Sequence, residues 1–226
     1  MRDEITKATR SLLLPELSSL GFARVTDRLT GRISNDILQF VSVRASIRGS
    51  RRFCVDYASL CLFRPRDFLA GEPGGILGPS GKPRGRIQAL SFRAQRSWHP
   101  GATQPEADRS MREVVAQLQR EALPFFQSTA TVGGLLNYLS TANWGSQHHL
   151  DFERGCCLAK LGRTAEAINH LRSARDEYAA DPRDWCTLER QRVEELLEAL
   201  AEGTASGKLR TWTADSKRSL NLDRLL

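Results

Sequence analysis

The stretch Gly155-Cys156-Cys157-Leu158-Ala159-Lys160-Leu161-Gly162-Arg163-Thr164-Ala165-Glu166-Ala167-Ile168-Asn169-His170-Leu171-Arg172-Ser173-Ala174 reads as two antiparallel helices joined at Leu161-Gly162-Arg163. Gly162 stands where a helix C-terminus takes a positive φ, which a residue without Cβ adopts at no steric cost. Leu158 and Leu161 are expected to face back onto Ala167, Ile168, Leu171 and Ala174, which recur at the i, i+3, i+4 spacing of one helix face. The small residues Gly155, Ala167 and Ala174 predict close approach of the two backbones.

Working outward from this hairpin, Thr187–Ala201 predicts a further helix with Val193, Leu196, Leu197 and Leu200 as its apolar stripe. Gly203 to Gly207 reads as a polar linker. Beyond it Leu209, Trp212, Leu220, Leu222, Leu225 and Leu226 make a tail too apolar to be left in water. The Leu161-Gly162-Arg163-x-x-Glu166-Ala167-Ile168 turn, with its order of small and large positions, resembles one tetratricopeptide repeat. That resemblance implies a protein that binds other polypeptides and carries little chemistry. One repeat cannot bury its own face, so these helices are expected to pack on one another, on the N-terminal part or on a partner.

Upstream the pattern changes. Residues 3–20 predict an amphipathic helix, with Ile5, Ala8, Leu12, Leu13 and Leu17 near one face, kinked or ended by Pro15 and stopped at Gly21. Short β segments follow at Val25–Leu29, Ile37–Ile47, Phe53–Phe63 and Ile87–Trp98, with turns expected at Gly31 and Gly49-Ser50. Residues 65–85 are too rich in Gly and Pro for a regular element. A helix is then predicted from a capping box at Ser110-x-x-Glu113, ending or bending at Pro124. A short helix at Leu135–Leu139 opens the all-helical part. The fold class is α+β: an N-terminal helix and antiparallel β-meander covered by helices over 1–128, then an all-α region over 129–226. Leu20-Gly21-Phe22, the Phe53-Cys54-Val55-Asp56-Tyr57 strand core and the closing Leu123-Pro124-Phe125-Phe126 resemble an uncharacterised bacterial domain family over roughly residues 5–128. Its members resemble immunity proteins encoded beside polymorphic toxins, so the resemblance implies toxin neutralisation and carries no catalytic residues.

The 226 residues have a formal net charge of +7, and the charge is unevenly spread. Residues 44–96 hold 11 basic and 3 acidic side chains, nearly all of the basic ones Arg. Arg48, Arg51, Arg52, Arg64, Arg66, Arg84 and Arg86 fall at strand ends and in loops, where a meander gathers them at an edge. They form the candidate partner-binding surface, suited to carboxylates or phosphates. No run of apolar residues approaches membrane-spanning length, and the start of the chain lacks a signal-peptide pattern. The five cysteines form no C-x-x-C pair and read as reduced core residues, which predicts a cytoplasmic protein. His148-His149 beside Asp151 and Glu153 lacks the i, i+4 spacing that aims two imidazoles at one ion, so no metal and no cofactor is expected. The Gly78-Pro79-Ser80-Gly81-Lys82 loop lacks both the spacing and the following helix of a phosphate-binding loop. The expected function is non-enzymatic: a protein-binding module, an immunity protein that occludes a toxin's active or target-binding surface. The alternative is a nucleic-acid-associated adaptor using the Arg-rich sheet edge.

Overall fold

The computed structural model describes residues 2–25, 29–45, 52–65, 84–86, 98, 101–141, 147–220 and 222. The N-terminal helix runs as α1 (Arg2–Ala8), a π-helical turn (Thr9–Leu13) and α2 (Leu14–Ser19). Pro15 does not break it. A proline ring clashes with the carbonyl four residues back and offers no N–H. The preceding turn widens instead, so that the Leu14 N–H bonds to Thr9 O, five residues back. The same device recurs where α3 (Gln104–Gln117) meets α4 (Leu123–Ser128), with the Leu123 N–H on Leu118 O just before Pro124.

The helix α3 starts earlier than expected. Its capping box is Thr103 with Glu106, whose Oε2 accepts from the Thr103 N–H at 3.0 Å and the Ala102 N–H at 2.7 Å. Pro105 sits in the first turn, where its missing N–H costs nothing, so it belongs to the helix rather than to a loop.

Five antiparallel strands follow in simple order: β1 (Ala23–Arg24), β2 (Leu29–Ser34), β3 (Ile37–Ala45), β4 (Phe53–Cys61) and β5 (Arg84–Arg86). Gly31 lies inside β2 rather than in a turn. The turn is Asn35-Asp36, with φ of 49° and 60°, the left-handed pair that a two-residue hairpin requires. β5 interrupts the irregular segment anticipated over 65–85, placing Arg84 opposite Ala58 and Arg86 opposite Asp56. The Gly49-Ser50 turn and most of the predicted Ile87–Trp98 strand lie outside the described residues. Trp98 itself bridges to Phe53.

Each face of β3 and β4 is buried. On one, Val41, Val43, Phe53 and Val55 pack with Ile5, Leu13 and Met111 from the helices, while Ile37 and Cys61 join the all-helical core. Between these two apolar fields lies the cross-strand pair Gln39 and Ser59. Gln39 donates to Phe126 O at 2.6 Å, and Ser59 shares a 2.6 Å hydrogen bond with Thr129, so the divide is polar but satisfied. On the other face Leu38, Phe40 and Leu60 meet Leu29, Leu220 and Leu222. The apolar tail thus has its place.

The second half comprises α5 (Val132–Thr141), α6 (Gln147–Lys160), α7 (Thr164–Ala180), α8 (Asp184–Ala201) and α9 (Ala205–Ser219). The anticipated hairpin is α6–α7, turning at Gly162 with φ 73°. Leu161 is 43% exposed at the turn and does not join the apolar stripe. The supposed linker ends at Thr204, because Ala205 already begins α9. Helices α5, α7 and α9 surround α6, which is buried from His148 through Glu153 and again from Gly155 through Leu158. No helix among the described residues is long and apolar enough to cross a membrane.

Gly155 marks the tightest approach: a Cβ there would lie 2.6 Å from Leu171 Cγ and Cδ2. Gly→Ala inside a helix ordinarily stabilises it by about 1 kcal/mol. Here Gly155→Ala should instead destabilise, by about 1–3 kcal/mol, because the added methyl overpacks the α6–α7 seam. Urea denaturation of Gly155→Ala, Leu171→Ala and the double variant checks this. The methyl should cost markedly less once Leu171 is truncated, and additive effects would contradict the seam contact.

Candidate functional site

Burial of α6 on every side has a consequence written in its sequence: Asp151, Glu153, His148 and His149 must find partners inside the protein. Arg64 supplies one. It follows β4 by three residues and is 3% exposed, wedged between the sheet end and the helices. Its Nη1 donates to Glu153 Oε2 at 2.6 Å and its Nη2 to Glu189 Oε2 at 3.0 Å, while its guanidinium lies 4.6 Å from the Phe152 ring centre. Glu189 accepts a second charge from Arg192 at 2.7 Å, and Glu153 a thiol hydrogen bond from Cys61 at 3.0 Å. Burial alone would lower the pKa of Arg64, but the two glutamates outweigh it and hold it well above the ordinary guanidinium value. Arg64 is therefore no part of a partner-binding surface. It is an internal brace, and the sequence misplaced it because the residue after a strand normally reaches solvent.

The two histidines join the same cluster. Tyr178 Oη stands 2.8 Å from His149 Nδ1, with Arg64 Nη2 at 3.4 Å. A guanidinium only donates, so Nδ1 is the acceptor and the imidazole carries its proton on Nε2. His148 lies 4.5 Å from His149 and 4.6 Å from Tyr178, ring centre to ring centre. Burial lowers its pKa from 6.5, only partly offset by Glu177 at 3.5 Å. Burial likewise raises the Tyr178 hydroxyl, and a hydrogen bond with Cys61 together with burial raises the Cys157 thiol. Deprotonation of the Tyr178 hydroxyl and the Cys157 thiol is thereby disfavoured.

A second buried carboxylate, Asp151, clasps α6 to α7. His170 Nδ1 lies 2.9 Å from it, Ser173 Oγ donates at 3.0 Å, and Gln147 and Arg154 add bonds at 3.1 and 3.2 Å. Burial pushes this carboxyl up, but the hydrogen bonds from His170, Gln147 and Ser173 win and hold it at about 2. His170 and Ser173 each spend their hydrogen bond on Asp151, so the three residues do not form a nucleophile-base relay. Sequence reading missed this clasp, although His170 and Ser173 share a helix face at i, i+3. No group of three or more His, Cys, Asp or Glu among the described residues is arranged to hold a metal ion. None of the five cysteines forms a disulfide; Cys54 is half-buried and the others are buried.

The surface candidates divide differently. Arg52 is half-buried beside the first residue of β4, and Arg84 and Arg86 occupy the edge strand β5. Arg44, at the end of β3, pairs with Asp56 of β4, the residue opposite Arg86. Arg44, Arg52, Arg84 and Arg86 thus stand on or beside three neighbouring strands, β3, β4 and β5. Arg48, Arg51 and Arg66 lie outside the described residues. No family model, curated protein or solved structure matches this chain.

Replacing Arg64 by Met leaves Glu153 and Glu189 buried without their shared cation. We expect a loss of about 3–5 kcal/mol in urea denaturation. A change below about 1 kcal/mol would contradict the brace. The titrations act in two pH windows. His148, depressed in the folded state, contributes stability that is full above its unfolded value of 6.5 and is lost as pH falls through the folded value. Asp151 contributes stability present above 3.8 and lost as pH falls toward about 2. Urea midpoints from pH 8 to pH 5 should therefore decline for the wild type and decline less for His148→Phe, and equal slopes would remove His148 from the account.

Proposed function

We propose that the protein is a non-enzymatic binding module of a reducing cytoplasm, and that its partner is an acidic surface on a toxin domain, which it neutralises by occlusion. The observation that carries the reading is the placement of Arg44 on β3, Arg52 beside the start of β4, and Arg84 and Arg86 on the neighbouring strand β5. Planar guanidinium groups suit bidentate contacts to carboxylates. The interior chemistry is consistent with it: the strong acid and base groups around Arg64 and Asp151 satisfy one another and hold helices in place. Occlusion needs shape and charge, and no nucleophile of the module's own. The toxin reading draws further on the likeness of residues 5–128 to immunity proteins.

The test has two arms. The full chain, tagged, is used to capture proteins from its native host through a high-salt wash. A captured protein that is toxic when expressed alone, and is silenced by co-expression of the wild type, supports the proposal. Arg84→Glu/Arg86→Glu should weaken that complex by roughly 10–100-fold, mostly through slower association, while leaving the melting temperature unchanged. Recovery of generic DNA or RNA, bound with an affinity falling log-linearly in salt and with no stoichiometric protein, would replace it with the nucleic-acid adaptor.

A further inference from the structure

The charge of the second half is segregated as sharply as that of the first, with the opposite sign. Residues 176–202, the end of α7 and all of α8, hold nine acidic and three basic side chains, net −6. Glu189 is spent on Arg64 and Arg192, and Glu194 and Glu195 are partly offset by Arg190 at 3.5 Å and Lys208 at 2.6 Å. Glu177 and Asp184 remain at the surface around the start of α8.

Within this acidic field lie two of the three large hydrophobic side chains that stay exposed among the described residues. Trp185 and Leu188 are each 38% exposed and stand one turn apart on α8. Trp185 is not a loose surface side chain. Its ring stacks on His149 at 5.3 Å and 20°, meets Tyr178 edge-on at 6.3 Å, and lies 4.6 Å from the Arg183 guanidinium. Arg183 is itself pinned by Asp181, whose oxygens its Nε meets at 2.9 and 3.0 Å. A rigid, half-exposed tryptophan beside an arginine loses little conformational entropy on contact, and Trp and Arg dominate binding hot spots.

We infer that the Trp185–Leu188 face of α8 is a second docking surface, whose occupant is a basic polypeptide segment carrying an apolar anchor. The acidic field decides the occupant. It repels nucleic acid and anionic lipid, and it raises the association rate of a cationic chain. The two apolar residues are too small a patch for a broad domain interface and suit a single anchoring side chain of a short segment. The inference is independent of the acidic partner proposed for the sheet edge.

The probe is an 18-residue amphipathic peptide built from Leu and Arg, titrated into the full chain with the Trp185 indole N–H followed by NMR. The controls are the same peptide with every Leu replaced by Ser, and its counterpart with Glu for Arg. We expect the indole resonance to shift on binding the Leu/Arg peptide, with affinity weakened roughly tenfold or more by the loss of either its Leu or its Arg side chains. Trp185→Ala should weaken binding to the same degree. Leu188→Glu, which keeps the ring stack intact, guards against a merely unfolded variant and should weaken it too. Arg84→Glu/Arg86→Glu should bind the peptide like the wild type, which separates failure here from failure of the toxin reading. Equal affinity for the Ser control, or no effect of Leu188→Glu, would reduce the face to undirected charge and overturn the inference. So would concentration-dependent self-association of the wild type that Leu188→Glu abolishes, since a second copy of the chain would then be the occupant.

Discussion

One cation holds the halves of this protein in register. Arg64 follows the end of β4, Glu153 comes from the central helix α6 and Glu189 from α8, so a single guanidinium ties three elements of the fold. Such a network adds little net stability compared with an apolar core of the same shape, because three ions had to leave water. Its value is directional. Leucines would tolerate a small rotation of the helices against the sheet, whereas two short ion pairs on a planar group do not. The neighbouring groups share that geometry: Cys61 donates to the same Glu153, and Tyr178 meets the His149 nitrogen that Arg64 approaches.

Much of this architecture was legible in the chain. Gly162 and the Ala167, Leu171, Ala174 spacing disclosed the α6–α7 hairpin, and alternation disclosed β3 and β4. These are local signals, each read within one or two turns or a few strand residues. What escaped depends on distant partners. Nothing near Phe40 says that its face of the sheet will be covered by Leu220 and Leu222. Nothing near Arg64 says that the helices bring two glutamates to it. The prolines are a different matter: Pro15 and Pro124 are expected to kink or end their helices, and a one-residue widening of the preceding turn relieves the clash and carries each helix through.

The candidate surfaces were legible in part and for similar reasons. Composition exposed the Arg-rich segment, but composition does not separate an arginine that reaches solvent from one that folds inward. The register of β5 on β4 draws Arg84 and Arg86 toward Arg44, while Arg64, drawn from the same run of sequence, goes to the interior. The acidic counterpart on α8 was diluted by the balanced charge of the second half as a whole. Trp185 precedes the helix expected from Thr187, and no local signal marks the rings of His149 and Tyr178 that lie against it.

The covering of Phe40, Leu38 and Leu60 by Leu220 and Leu222 bears on how the chain comes into being. Translation delivers the strands well before Leu220 and Leu222, which cover them. Throughout that interval the nascent sheet presents an uncovered apolar surface between strands, the kind of surface that chaperones engage and that aggregates when crowded. The N-terminal layer therefore cannot reach its finished state ahead of the helices that follow it. This face of the sheet is complete only when the segment that follows α9 has closed over it.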